Sequence, residues 1–282
     1  MANAKVIGIV SIKGGVGKTT TVCNLGAVLA SKFNKRVLLV DANFSAPNLG
    51  LHLGLVDPKH TLNDALADDV PISQALIEHD NGIHVLTASL KDKKINPYKL
   101  RNRLQDLKEK YDIILIDSSP AMNEETLSAI LASDELFVVS APDYPTLSCT
   151  MQAVQLAKEK NTPISGLIIN KSRNKKFEID IKEIEKSTKT PVLAILPDDI
   201  KILESLAHTT PATIRKPNSP ASIEYTKLAA SLVGKHYTDP RLWKQFTHIF
   251  KKSIDQDSVN RLLYAKNLRE ELENQVSKQK ID

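Results

Sequence analysis

Short runs of apolar, β-branched residues alternate along the chain with longer stretches whose apolar positions recur at helical spacing. The runs cover residues 6–10, 36–40, 83–87, 112–116, 136–140, 166–170 and 191–196. They are apolar at nearly every position rather than at every second one, as strands buried on both faces require. The helical stretches between them include residues 19–30, 99–110, 124–132, 147–158 and 179–188. This alternation predicts an α/β fold with a doubly wound, mostly parallel sheet of seven or eight strands, flanked by helices and joined by right-handed crossovers. Residues 55–73, which contain Asp57-Pro58 and Val70-Pro71, read as a helical excursion rather than another core strand.

Beyond residue 200 the pattern is helical only, over 200–207 and then 222–233, where Gly234 is placed to cap the last helix. The expected division is therefore a core domain, 1–234, and a helical C-terminal extension, 235–282. The extension carries 10 Lys+Arg against 7 Asp+Glu. Within it Leu242, Trp243, Phe246, Ile249 and Phe250 recur at helical spacing beside Arg241, Lys244, Lys251 and Lys252. Such a stripe suits peripheral membrane contact through 241–252, and equally a helix packed back on the core.

Composition narrows the class. At 282 residues and 41% hydrophobic, the chain has material for one sizeable core. The net charge of +5 is what an ordinary solvated surface gives. Cys23 and Cys149 match no metal or cluster spacing, which argues against a disulfide framework, a zinc module or an iron–sulfur carrier. No apolar run has the length of a signal-peptide core or a membrane span, so the expected location is the cytoplasm, with peripheral attachment at the inner face of the membrane as the alternative.

The chemistry begins after the first strand, at Lys13-Gly14-Gly15-Val16-Gly17-Lys18-Thr19-Thr20, which opens a helix. Glycines let successive backbone N–H groups turn toward one anion and the helix N-terminus adds its dipole. Lys18 is placed for the β/γ-phosphates and Thr19 for magnesium. Ile12 stands where the common phosphate-loop pattern has its first glycine. Two further carboxylates end buried strands, Asp41 and Asp117, where ligands sit in open α/β sheets.

The stretch from Lys13 to Thr20 resembles the deviant Walker A motif of the MinD/ParA family of P-loop ATPases, and the resemblance extends in order over roughly residues 5 to 234. It is closer to MinD than to ParA, which implies a role of the cell-division kind. It also implies ATP or ADP with Mg2+, a homodimer in the ATP state and a protein partner. Lys13 would cross that dimer to the facing phosphates. Asp117 would be the Walker B aspartate, completing the metal site with Thr19, and residues 41–50, which begin Asp41-Ala42-Asn43, would be switch I. Asn170 would contact adenine, and Pro197-Asp198 would cup it. The family's second switch I aspartate is replaced here by Asn43, which cannot take a proton from water. The expectation is therefore a slow ATPase that switches by dimerising, with Lys13, Lys18, Asp41, Asn43 and Asp117 as its catalytic set. Two alternatives stand beside it. One is a nucleotide-gated binding module with little hydrolysis. The other is a ParA-like ATPase that binds DNA non-specifically through basic clusters at Lys171, Arg173, Lys175 and Lys176 and at Lys91, Lys93 and Lys94.

Overall fold

A computed structural model describes residues 3–91 and 93–241. In chain order the strands are β1 (Lys5–Val10), β2 (Val37–Ala42), β3 (Ile77–His79), β4 (Ile83–Leu86), β5 (Ile113–Ser118), β6 (Glu135–Ser140), β7 (Ile164–Ser172) and β8 (Val192–Pro197). The helices are α1 (Lys18–Phe33), α2 (Leu49–His52), α3 (Leu62–Leu66), α4 (Leu100–Gln105), α5 (Glu124–Ala132), α6 (Tyr144–Glu159), α7 (Ile181–Thr188), α8 (Ile200–Ala207), α9 (Ala212–Arg215) and α10 (Pro220–Leu232).

The strands form one sheet in the order β3-β4-β2-β5-β1-β6-β7-β8. All neighbours are parallel except β3, which runs antiparallel to β4 at the edge. Every residue of β2, β5 and β6 is buried, which is why these segments read as continuous apolar runs. Ile7, Ile9, Leu39 and Leu115 face one layer, formed by α1 and α10. Val6, Leu38, Val40, Ile114 and Ile116 face the opposite layer, which α3, α4 and α5 cover. Val138, Leu167 and Ile169 continue that second face under α6 and α7. The doubly wound prediction is borne out. The eighth strand is β3, three residues with Glu78 at its centre, too short and too polar to carry an apolar pattern.

Two expected helices are shorter in the structure. Residues 55–73 contain only α3 and one 3₁₀ turn at Ile72–Gln74. Asp57 and Asp68 adopt positive φ, and Pro58 and Pro71 withhold backbone donors, so the helical ladder cannot run through. The 99–110 helix is reduced to α4, preceded by a 3₁₀ turn at Pro97–Lys99 and followed by turns. α10 ends at Leu232, and Gly234 follows at φ 63. The described chain then lies back along α10. Tyr237 packs against the core, Asp239 pairs with Lys227 and Arg241, and Arg241 also meets Glu224. The apolar stripe beginning at Leu242 and the second helical stretch expected over 259–276 lie outside the described residues.

Candidate nucleotide site

Among the described residues most of the longer helices begin under a side-chain cap: α5 under Asn123, α6 under Asp143, α7 under Asp180, α8 under Asp199 and α10 under Ser219. α1 does not. Its N-cap is Gly17 at φ 97, with no capping hydrogen bond and no acidic residue in the first turn. The orphan N–H groups of its first turn and the positive end of its dipole are thus left for an anion. The loop before it turns through Gly15 at φ 74, a left-handed conformation that favours glycine. Gly17 is constrained twice over, since a Cβ there would lie 2.2 Å from Asn170 Nδ2. Lys18 is buried beneath this loop, where desolvation lowers its pKa against the opposing pull of Asp117.

Asp117 and Asp41 are partners in register across β5 and β2, both almost fully buried. Burial pushes both carboxyls up, and the nearby charge of Asp117 adds to the effect at Asp41. The two do different work. Thr19 Oγ1 donates to Asp117 Oδ2 at 2.6 Å, while Asp117 Oδ1 is buried without a partner. A hydroxyl and a carboxylate oxygen left open in this way are the hard donors that Mg2+ takes, and these residues fit it. Among the described residues no group of three or more His, Cys, Asp or Glu could form a cage of its own, so the remaining ligands would come from phosphate and water. Asp41 instead accepts three backbone N–H groups, from Asn43, Asn48 and Leu49. It holds the loop after β2 and the start of α2 in place.

Asn43 sits on that loop, 5% exposed. Its Nδ2 donates to Ala46 O at 2.5 Å and its Oδ1 is buried with no partner. A carbonyl only accepts, so the amide group faces Ala46 and the free acceptor faces away from it.

A cavity of about 420 Å³ runs from the phosphate loop to the start of α8. Of the residues singled out in the sequence, Gly14, Gly15, Gly17, Lys18, Thr19, Thr20, Asn43, Asn170, Pro197 and Asp198 border it, as do Lys171 and Arg173 of the basic cluster. The Val16 side chain turns into the core. Asp41 and Asp117 stand behind the lining. Lys13 points elsewhere: its Nζ donates to Thr146 Oγ1 at 2.6 Å and to Asp143 Oδ1 at 3.3 Å, at the start of α6. Several lysines and arginines of the two basic clusters are engaged as well, Arg173 with Asp198, Lys91 with Asp57, and Lys93 with Asp64 and Asp69.

Sequence reasoning missed His52, Ile202, Leu203, Leu206 and Tyr225, which also border the cavity. His52 Nδ1 meets Asn48 O at 2.9 Å, and Tyr225 Oη lies 3.2 Å from Thr21 Oγ1. No local motif marks them, because they arrive on α2, α8 and α10, elements far apart in the chain.

Comparison with known proteins gives a consistent picture. A family described as an AAA domain matches residues 4–179. The chain is 36% identical over 237 residues to an uncharacterised ATP-binding protein of Methanocaldococcus jannaschii, covering 83% of this chain and 89% of that one. It is 31% identical over 240 residues to the septum site-determining protein MinD of Synechocystis, covering 82% and 90%. Its fold is similar to that of MinD from Pyrococcus horikoshii solved with Mg-ADP, with a TM-score of 0.76 and 33% identity over 80% of this chain and 94% of that one.

Proposed function

Since the chain belongs to the MinD/ParA family of P-loop ATPases, we propose that it is an ATP-dependent dimerising switch that hydrolyses its nucleotide slowly and thereby controls the positioning or assembly of a protein partner. ATP or ADP is the nucleotide and Mg2+ its metal. The observation that carries the reading is the uncapped N-terminus of α1, set over buried Lys18 and beside Asp117, which holds the Thr19 hydroxyl with one carboxylate oxygen and keeps the other open. In this assignment Lys18 and the loop N–H groups bind phosphate, and Thr19 with Asp117 holds the metal. Asn170, Pro197 and Asp198 border the base. Bound Mg2+ would neutralise phosphate charge.

Dimerisation through the nucleotide face is supported by what that face exposes. Met122, Tyr144, Phe177 and Ile200 are all more than half exposed. They follow the carboxyl ends of β5, β6, β7 and β8 in turn, and exposed apolar side chains gathered at one edge of a sheet suit a protein interface. Lys13 lies at the same edge, turned away from its own cavity, as a residue that reaches a facing subunit would be. The unpartnered Oδ1 of Asn43 can orient a water but cannot deprotonate it, which supports slow turnover. Among the described residues no helix is long and apolar enough to cross a membrane.

The test is light scattering with and without ATP, alongside calorimetry of nucleotide binding. Lys13→Ala is expected to bind nucleotide as the unmodified protein does and to lose the ATP-induced dimer. A dimer that forms equally well in the variant would refute the role across the interface.

A further inference from the structure

We propose that Lys171, together with Asn170, is a positioning residue that holds the phosphate loop by its carbonyls and so turns the loop's N–H groups toward the anion. The proposal rests on the nucleotide assignment above and adds to it a residue and a mechanism. Asn170 and Lys171 lie together near the carboxyl end of β7. Asn170 Nδ2 donates to Val16 O at 2.7 Å, and Lys171 Nζ donates to Gly15 O, also at 2.7 Å. Two consecutive carbonyls of the loop are therefore drawn to the same place.

The consequence follows from peptide geometry. In a planar trans peptide the C=O and the N–H point in opposite directions. The carbonyl of Gly15 shares its peptide with the N–H of Val16, and the carbonyl of Val16 shares its peptide with the N–H of Gly17. Drawing both carbonyls toward β7 thus aims both N–H groups the other way. Consecutive N–H groups converging in this manner form an anion-binding nest. Glycine at 15 and 17 permits the turn, but flexible glycines do not choose one turn among many, and the contacts from β7 supply that choice.

The pair is itself held. Asn170 Oδ1 accepts the N–H of Lys171 at 2.9 Å, so both ends of the amide are engaged. Lys171 adopts φ 57 where β7 departs from regular register with β8, between Ile169 and Ser172, and this turns its side chain out of the strand pattern. Asn170 also borders the cavity, so the one strand end links the region assigned to the base with the phosphate loop.

The experiment is calorimetry of Mg-ADP and of a non-hydrolysable Mg-ATP analogue on the full chain, comparing Lys171→Met, Lys171→Arg and Lys18→Ala. Lys171→Met is expected to weaken both nucleotides by the same factor, about 3- to 10-fold, the scale of one hydrogen bond. Its melting temperature should be unchanged, and Lys171→Arg should restore most of the affinity. Equal affinity in Lys171→Met and the unmodified protein would overturn the proposal. So would a loss confined to the ATP analogue, which would make Lys171 a direct γ-phosphate contact, or a changed preference between adenine and guanine nucleotides, which would make it a base contact. Failure of the underlying nucleotide assignment looks different, since the unmodified protein and Lys18→Ala would then bind equally poorly.

Discussion

Asn43→Asp introduces a carboxylate at the position proposed above to orient the attacking water, and the structure says what this does to the nucleotide-free protein. The side chains are nearly isosteric, so the effect is electrostatic. Asn43 Nδ2 donates to Ala46 O at 2.5 Å, and in the variant that donor becomes a second acceptor facing a carbonyl. The lost hydrogen bond is worth about 1 kcal/mol, and a buried acceptor left facing another costs roughly 1–3 kcal/mol more. The new charge is also 5% exposed and lies two residues from Asp41, whose own carboxyl is already pushed up by burial and by Asp117. The expected destabilisation is about 2–4 kcal/mol in the absence of nucleotide. Bound Mg2+ would offer the carboxylate an opposite charge, so the difference should narrow when Mg-ADP is present. Urea denaturation of both proteins with and without Mg-ADP measures this directly. Single-turnover hydrolysis should rise in Asn43→Asp, by a factor bounded at about 10²–10⁴ for general-base help. Stability unchanged within about 0.5 kcal/mol without nucleotide would refute the account of the Ala46 contact. Brisk hydrolysis by the unmodified protein, with no gain in the variant, would refute the reading of Asn43 as the slow step's cause.

Gly17→Ala combines a positive φ of 97 with a Cβ 2.2 Å from Asn170 Nδ2, so it is expected to destabilise the fold by about 1–3 kcal/mol and to lose nucleotide affinity. A variant with native melting temperature and native calorimetric affinity would count against the packing described. Asp239→Asn tests the attachment of residues 235–241 to α10. Burial pushes the Asp239 carboxyl up, but hydrogen bonds from Arg241 and Lys227 outweigh it and hold the group well below the usual carboxylate range. A folded-state pKa lowered in this way contributes stability above the unfolded value of about 3.9 and loses it as pH falls further. The variant should therefore melt lower than the unmodified protein at pH 7, and the gap should begin to narrow near pH 4 and shrink progressively as pH falls further. A gap independent of pH would show that the ion pairs do not hold this segment.

The strand runs, the phosphate loop and the carboxylates at Asp41 and Asp117 were legible in the sequence because each depends on local or near-continuous pattern. A strand buried on both faces must be apolar throughout, and a loop that wraps an anion must place glycines and lysine within a few residues of a helix start. The short strand at Ile77–His79 was not legible, since an edge strand of three residues needs only a neighbour with free hydrogen-bonding groups. The interruptions of the helices expected over 55–73 and 99–110 came from positive-φ residues, prolines and turns that periodicity does not weigh.

The roles within the site were decided by the tertiary structure. Asp41 and Asp117 look alike in sequence, each a carboxylate at the end of an apolar run. In the fold one is consumed by three backbone N–H groups, while the other keeps an oxygen open beside Thr19. Asn170 reads as a base contact, yet its amide holds the phosphate loop 154 residues earlier. His52 and Tyr225 reach the cavity from α2 and α10 without any motif. The sequence by itself determined the fold class, the family and the anion-binding loop, because those follow from backbone periodicity and short-range geometry. Which hydrogen bonds each polar side chain has left to offer depends on neighbours brought together from distant parts of the chain, and only the packed structure settles that.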